Sequence, residues 1–150
     1  RTKIAVNSHD ENVDAVGACI GPRGQRVSNI VEILCGEKID IVKYSEDPAE
    51  FISAALSPSS VISVEILSQQ PKSCRVTVPD EQLSLAIGNK GQNARLAARL
   101  TGFKIDIKSE TQAKEIEGFL DYDVYEEEEY DEAYDEYDYE DDYEEMPVEE

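Results

Sequence analysis

Two short stretches of the chain pair glycines with a cation: Gly21-Pro22-Arg23-Gly24 and Gly88-Asn89-Lys90-Gly91. Each follows an isoleucine, Ile20 or Ile87, and precedes a glutamine, Gln25 or Gln92. Glycine has no Cβ, so another backbone can pass close to it. A helix that starts at the second glycine directs its unpaired N–H groups and the positive end of its dipole into the loop. Arg23 and Lys90, at the same loop position, add one cation each. Donors, dipole and cation together suit an anion, and two such loops suit a phosphodiester chain. This is the chemistry of binding rather than of bond making.

Residues for bond making are not assembled elsewhere. His9 is the single histidine, so neither a Ser/His/Asp nor a Cys/His site can be built, and a metal role for it is disfavoured. Cys19, Cys35 and Cys74 are odd in number and far apart, with no CxxC pair, and read as reduced, buried thiols of a cytosolic protein. The pattern GxxxxGK[ST] is absent, so nucleotide hydrolysis is not implied. The expectation is a protein that is not an enzyme and needs no cofactor or metal. No apolar run approaches the ~18 residues of a membrane span, and no secretory signal opens the chain, which predicts a cytoplasmic protein without a membrane partner.

The loops lie in a duplicated frame. The segment Ile20 to Gln25 matches Ile87 to Gln92 at an offset of 67, and Gly36 to Ile41 matches Gly102 to Ile107 at an offset of 66. Val13, Val16, Gly17 and Ile20 fall on one face of a helix that ends at Gly21, and Val27, Ile30, Val31 and Leu34 repeat that spacing on a second helix. Ile39 and Ile41 alternate as the inward residues of a strand. In the second copy Asp80 is the predicted N-cap, Leu83, Ala86 and Ile87 form a short apolar face, and Leu96, Ala97 and Leu100 face inward after Gly91. Phe103, Ile105 and Ile107 then alternate as a strand. Between the copies, Asp47-Pro48-Ala49-Glu50 starts a helix whose Phe51, Ile52, Ala55 and Leu56 are buried. A hairpin follows, with Ile62, Val64 and Ile66 and then Cys74, Val76 and Val78 inward. The second module is therefore helix, strand, strand, helix, helix, strand. The first has one preceding strand, Lys3 to Val6, and starts at Arg1 rather than Met, so an N-terminal helix and strand are expected to be missing. A short helix is predicted over Thr111–Leu120.

Charge divides the chain differently. Residues 1–108 hold 13 Lys and Arg against 13 Asp and Glu, so the net charge of −20 lies wholly beyond them. Seven of the eight tyrosines lie there too. Such a segment buries too little apolar surface to offset its ordering entropy. It reads as a disordered acidic tail over 119–150. It is either a solvated extension, a competitor for the cationic loops or a docking segment for a basic partner.

A helix–GxxG–helix turn followed by a strand resembles the KH domain, whose loop clamps about four nucleotides of single-stranded nucleic acid. Further stretches are more specific: Val16 to Val27, Gly36 to Val42, Ser45 to Ile52, Ala54 to Pro58, Ala86 to Asn93 and Arg95-Leu96-Ala97. In these the chain resembles the tandem KH region of the NusA family of bacterial transcription termination/antitermination factors, over residues 1–118. The resemblance implies an α+β fold of two tandem type II KH domains, the first (1–43) truncated at its N-terminus and the second spanning 44–118. It implies binding of single-stranded nascent RNA and modulation of pausing, termination and antitermination. RNA polymerase would be a partner, mainly through N-terminal domains that this sequence does not include, and other antitermination factors are further candidates. A monomer is expected. A KH module of a ribosome-associated or RNA-processing protein is the alternative.

The candidate RNA contacts are the two loops with Arg26 and Arg95 beside them. Arg99, one turn beyond Arg95, either flanks the same groove or is a solvated helix face. Ile20 and Ile87 are either an apolar floor under the bases or core residues. Gln92 and Asn93 are candidates for reading base edges.

Overall fold

The computed structural model describes residues 1–120. The first module runs β1 (Thr2–Val6), α1 (Ala15–Ile20), α2 (Gln25–Ile33) and β2 (Ile39–Lys43), with β1 and β2 parallel. The second runs α3 (Pro48–Ala55), β3 (Ser63–Gln69), β4 (Lys72–Val78), α4 (Leu83–Ile87), α5 (Gln92–Thr101) and β5 (Lys104–Ser109). Its sheet has the order β3-β4-β5, antiparallel between β3 and β4 and parallel between β4 and β5. Helix α6 (Glu110–Leu120) follows directly. This is the α+β arrangement expected of tandem type II KH domains. The predicted acidic tail lies outside the described residues from 121 onward.

The registers extend the duplication past the matching residues. Ile39 pairs with Thr2 and Ile41 with Ile4, whereas their repeats Ile105 and Ile107 pair with Cys74 and Val76. β1 is therefore the counterpart of β4, although the two share no sequence motif. The counterparts differ in burial. Ile4 is 41% exposed and Val76 is 0% exposed. In the second module α3 supplies Ile52, Ala55 and Leu56 to a cluster with Cys74, Val76, Val78, Ala86, Ala97 and Phe103. Among the described residues the first module has no equivalent of α3 and β3, so its sheet and helices lack that cover. Burying each such aliphatic side chain is worth about 1.5–3 kcal/mol, so most of the folding free energy of residues 1–120 resides in the second module.

Local signals position the elements. Asp47 caps α3 by accepting from Ala49 N at 3.2 Å, Pro48 takes the first helical position, and Ser45 Oγ donates to Glu50 at 2.9 Å. Asp14 caps α1 by accepting from Gly17 N at 3.1 Å. That cap places Val13 outside the helix and exposed, contrary to its expected place on the buried face. Asp80 does not cap the helix that follows it. Its carboxylate accepts from Thr111 N at 3.0 Å and from Thr111 Oγ1 at 2.6 Å, and so caps α6.

Several apolar expectations fail for one reason, the missing cover over the first module. Ile30 and Leu34 are exposed, and α2 has no fully buried residue. Ile30 is 47% exposed, while Ala97, its repeat, is 0% exposed. Ile39 and Ile41 are half-buried, and the deepest residue of β2 is Val42 on its other face. In the second module Ile62 precedes β3 and is exposed, and Val61 packs against the core in its place. Of the three cysteines only Cys74 is buried; Cys19 and Cys35 are exposed, correcting the reading of all three as core thiols.

The modules are joined by residues 44–47 and also touch. Helix α5 packs against β1, and α3 packs against β2. The β1–β2 face turned toward them carries Lys3, Asp40 and Val42.

Candidate nucleic-acid interface

The loops are built alike. Each first helix ends with a glycine N–H donating into the last turn: Gly21 N to Gly17 O and Gly88 N to Ser84 O, both 2.9 Å. Gly21 then takes φ 76°, ψ 174° and Gly88 takes φ 79°, ψ 173°. This region is open essentially to glycine alone, and it turns the chain sharply away from the helix axis. A single 3₁₀ turn follows, closed by Gly24 N to Gly21 O and by Gly91 N to Gly88 O at 3.1 Å each. The second glycine, at φ 71° or 74°, leads into α2 or α5.

The two cations sit inside that turn in the left-handed region, Arg23 at φ 54° and Lys90 at φ 53°. Both are exposed. A non-glycine residue in this region is held there by its surroundings, here by the closed turn on either side. The left-handed backbone places an exposed cation within each loop, just ahead of a helix whose first N–H, of Gln25 or Gln92, is already bonded to Pro22 O or Asn89 O.

The flanking residues resolve into different roles. Arg26 is exposed and its Nη1 donates to Ala18 O at 2.6 Å, which folds it across the first loop against Gly21. Arg95 is exposed and its Nη1 donates to Lys90 O at 2.7 Å, bracing the second loop at its cation. Arg99 is also exposed, one turn further along α5. Gln92 is exposed in the first turn of α5, as are Pro22 and Asn89 in the loops. Ile20 is half-buried and Ile87 exposed, so neither belongs to the fully buried core. The Asn93 side chain, considered for base reading, is a structural group instead. Asn93 is 7% exposed, and its amide donates to Leu56 O at 3.1 Å and Ala86 O at 2.9 Å. It occupies the repeat position of Arg26, so one site under the first loop glycine is filled by a solvated arginine in one copy and a buried amide in the other.

Two family models match along the chain. A NusA-like first KH domain covers residues 1–44, and a NusA-like second KH domain covers residues 48–115. The chain belongs to the NusA-like tandem KH family. Its relatives include the transcription termination/antitermination protein NusA of Bacillus subtilis, 62% identical over 116 residues, which are 77% of this chain and 31% of that protein. The NusA of Thermus thermophilus is 53% identical over 105 residues, 70% of this chain and 27% of that one. The chain thus spans about a third of the length of the NusA proteins it matches. The crystal structure of APE1850 shares the fold, with a TM-score of 0.52 at 24% identity over 71% of this chain and 77% of that one.

Among the described residues no helix is long and apolar enough to cross a membrane. No group of three or more His, Cys, Asp or Glu among them could hold a metal ion.

Proposed function

We propose that the two modules, over residues 1–43 and 44–118, are the RNA-binding region of a cytoplasmic factor that acts in transcription elongation, termination and antitermination. Both GxxG loops bind single-stranded nascent RNA. Gly21 to Gly24 and Gly88 to Gly91 take the sugar–phosphate backbone, with Arg23 and Lys90 as its counter-charges. Arg26, Gln92 and Arg95 flank that path, and Ile20 and Ile87 offer apolar surface to the bases. RNA polymerase and other antitermination factors are its further partners. The chain acts by binding, as a monomer without a cofactor, and catalyses no reaction.

One observation carries this reading. The loops repeat each other in backbone torsions to within 4° at the two glycines and the cation, although the modules around them differ in cover and core. A fold that needed only a corner would not need a strained, exposed cation at both.

The test replaces Pro22 and Arg23 by Asp, and Asn89 and Lys90 by Asp, singly by loop and together. Aspartate tolerates the left-handed region, so the loops persist while their charge reverses. Fluorescence titration with single-stranded RNA should show a loss of at least tenfold for each loop and no measurable binding for the combined variant. Wild-type affinity in the combined variant would refute the assignment.

A further inference from the structure

We propose that Lys3 is a positioning residue that sets the angle between the two modules, so that both loops can engage one RNA strand. The inference rests on the proposed RNA-binding function and concerns how the two loops act together.

Lys3 lies on β1, and its side chain is 1% exposed. Its Nζ donates to Asp40 Oδ2 at 3.1 Å within the first module and to Ser57 O at 2.7 Å in the second. Asp40 is held from its other side by Arg1, whose Nε and Nη2 donate at 2.9 and 2.8 Å. The carbonyl next to Ser57 is that of Leu56, which accepts from Asn93. Asn93 in turn packs beneath Gly88. A continuous series of bonded groups therefore runs from β2 of the first module through Lys3 and the end of α3 to the seat of the second loop.

A buried ammonium group is a poor choice for stability alone. Taking it out of water is unfavourable, and an apolar side chain of similar volume commonly does as well or better. Burial pushes the Lys3 amine below its ordinary pKa against the opposing pull of Asp40, which marks the same penalty. What the ammonium adds is direction. Helices α5 and α3 also lie against β1 and β2, where Val42 is buried, but apolar burial is non-directional and tolerates sliding. Residues 44–47 span at most about 14 Å, which keeps the modules adjacent without choosing their angle. One nitrogen with an acceptor in each module is satisfied at one docking angle and loses an acceptor at its neighbours.

Two loops held at a fixed separation make the second contact of a long RNA intramolecular, at a high effective concentration; a variable angle lowers that concentration. The experiment compares this chain with its Lys3→Met and Lys3→Leu variants on two probes, a tetranucleotide that fills one loop and a single strand of about 20 nucleotides that reaches both. The variants should bind the tetranucleotide within about twofold of the original chain and the long strand at least tenfold more weakly. Unchanged affinity for the long strand in a folded variant overturns the proposal. Unfolding of both variants overturns it as well, since Lys3 would then hold the fold rather than the angle. If the unaltered chain binds the long strand no more tightly than the tetranucleotide, two-loop binding itself is wrong, and that result is read before either variant.

Discussion

A Cβ placed on Gly88 would lie 2.8 Å from the Asn93 Cβ and 2.8 Å from the Asn93 backbone nitrogen. The same Cβ on Gly21 would meet the Arg26 Cγ at 2.6 Å and its Cβ and Cδ at 3.0 Å, of which Cγ and Cδ can swing away. Both glycines have positive φ, so both pay a torsional penalty on substitution. The difference is that at Gly88 a backbone atom itself lies inside contact distance, whereas at Gly21 the three nearest atoms are all of the Arg26 side chain. Gly88→Ala is expected to destabilise by about 2–4 kcal/mol and Gly21→Ala by about 1–2, read as urea midpoints at unchanged m-value.

The uneven cover of the two modules gives a second contrast. Ile52 is fully buried, so Ile52→Ala should lose about 2–5 kcal/mol through lost transfer energy and a residual cavity. Ile30 occupies the repeat position of buried Ala97 but is half exposed, and Ile30→Ala in this chain should change stability by no more than about 0.5 kcal/mol. Equal losses in thermal unfolding would contradict the assignment of the core to the second module.

Alkylation separates the cysteines. Cys19 and Cys35 are exposed, while burial, with the nearby Asp106 carboxylate, pushes the Cys74 thiol up to about 11. The native chain should take up two equivalents of iodoacetamide quickly at pH 8 and the third only on unfolding, as counted by mass spectrometry. The raised value also gives a stability term that is fully present below the unfolded thiol's ordinary pKa of 9.0 and lost as pH rises through about 11.

The Asp80 carboxylate caps α6 across 31 residues of sequence, and the hydrogen bonds from the Thr111 hydroxyl and amide hold its pKa below the ordinary 3.8. Its contribution is present above pH 3.8 and lost as pH falls through the lower folded value. Asp80→Ala should remove it at neutral pH. Hydrogen exchange at Thr111 should then quicken while the amides of β4 stay protected; an unchanged Thr111 rate would show that the cap does not hold the helix.

The loops were legible in sequence because their signals are local. Ile-Gly-x-x-Gly between two apolar periodicities specifies a helix end, a turn that only glycine can make and a helix start, all within a few residues. The match at offsets of 67 and 66 then placed both copies, both cations and the order of the second module's elements. Asp47-Pro48 announced α3 in the same way, as a cap and a first-turn proline whose partners are two residues apart.

Contacts between distant parts of the chain were decided only by the tertiary structure. Periodicity shows which apolar residues share a face but not whether anything covers it, so Ile30 reads like its buried counterpart and is not buried. An aspartate before a helix reads as its cap, yet Asp80 spends its carboxylate on Thr111, a choice set by where β5 delivers α6. Asn93 and Lys3 carried no local mark of burial, because each donates to a carbonyl just after α3, Leu56 O or Ser57 O, that only packing brings near. Local residue order specifies two cationic glycine loops on a repeated frame. Which polar side chains would leave that surface to join the modules depended on acceptors that exist at those positions only once the chain is folded.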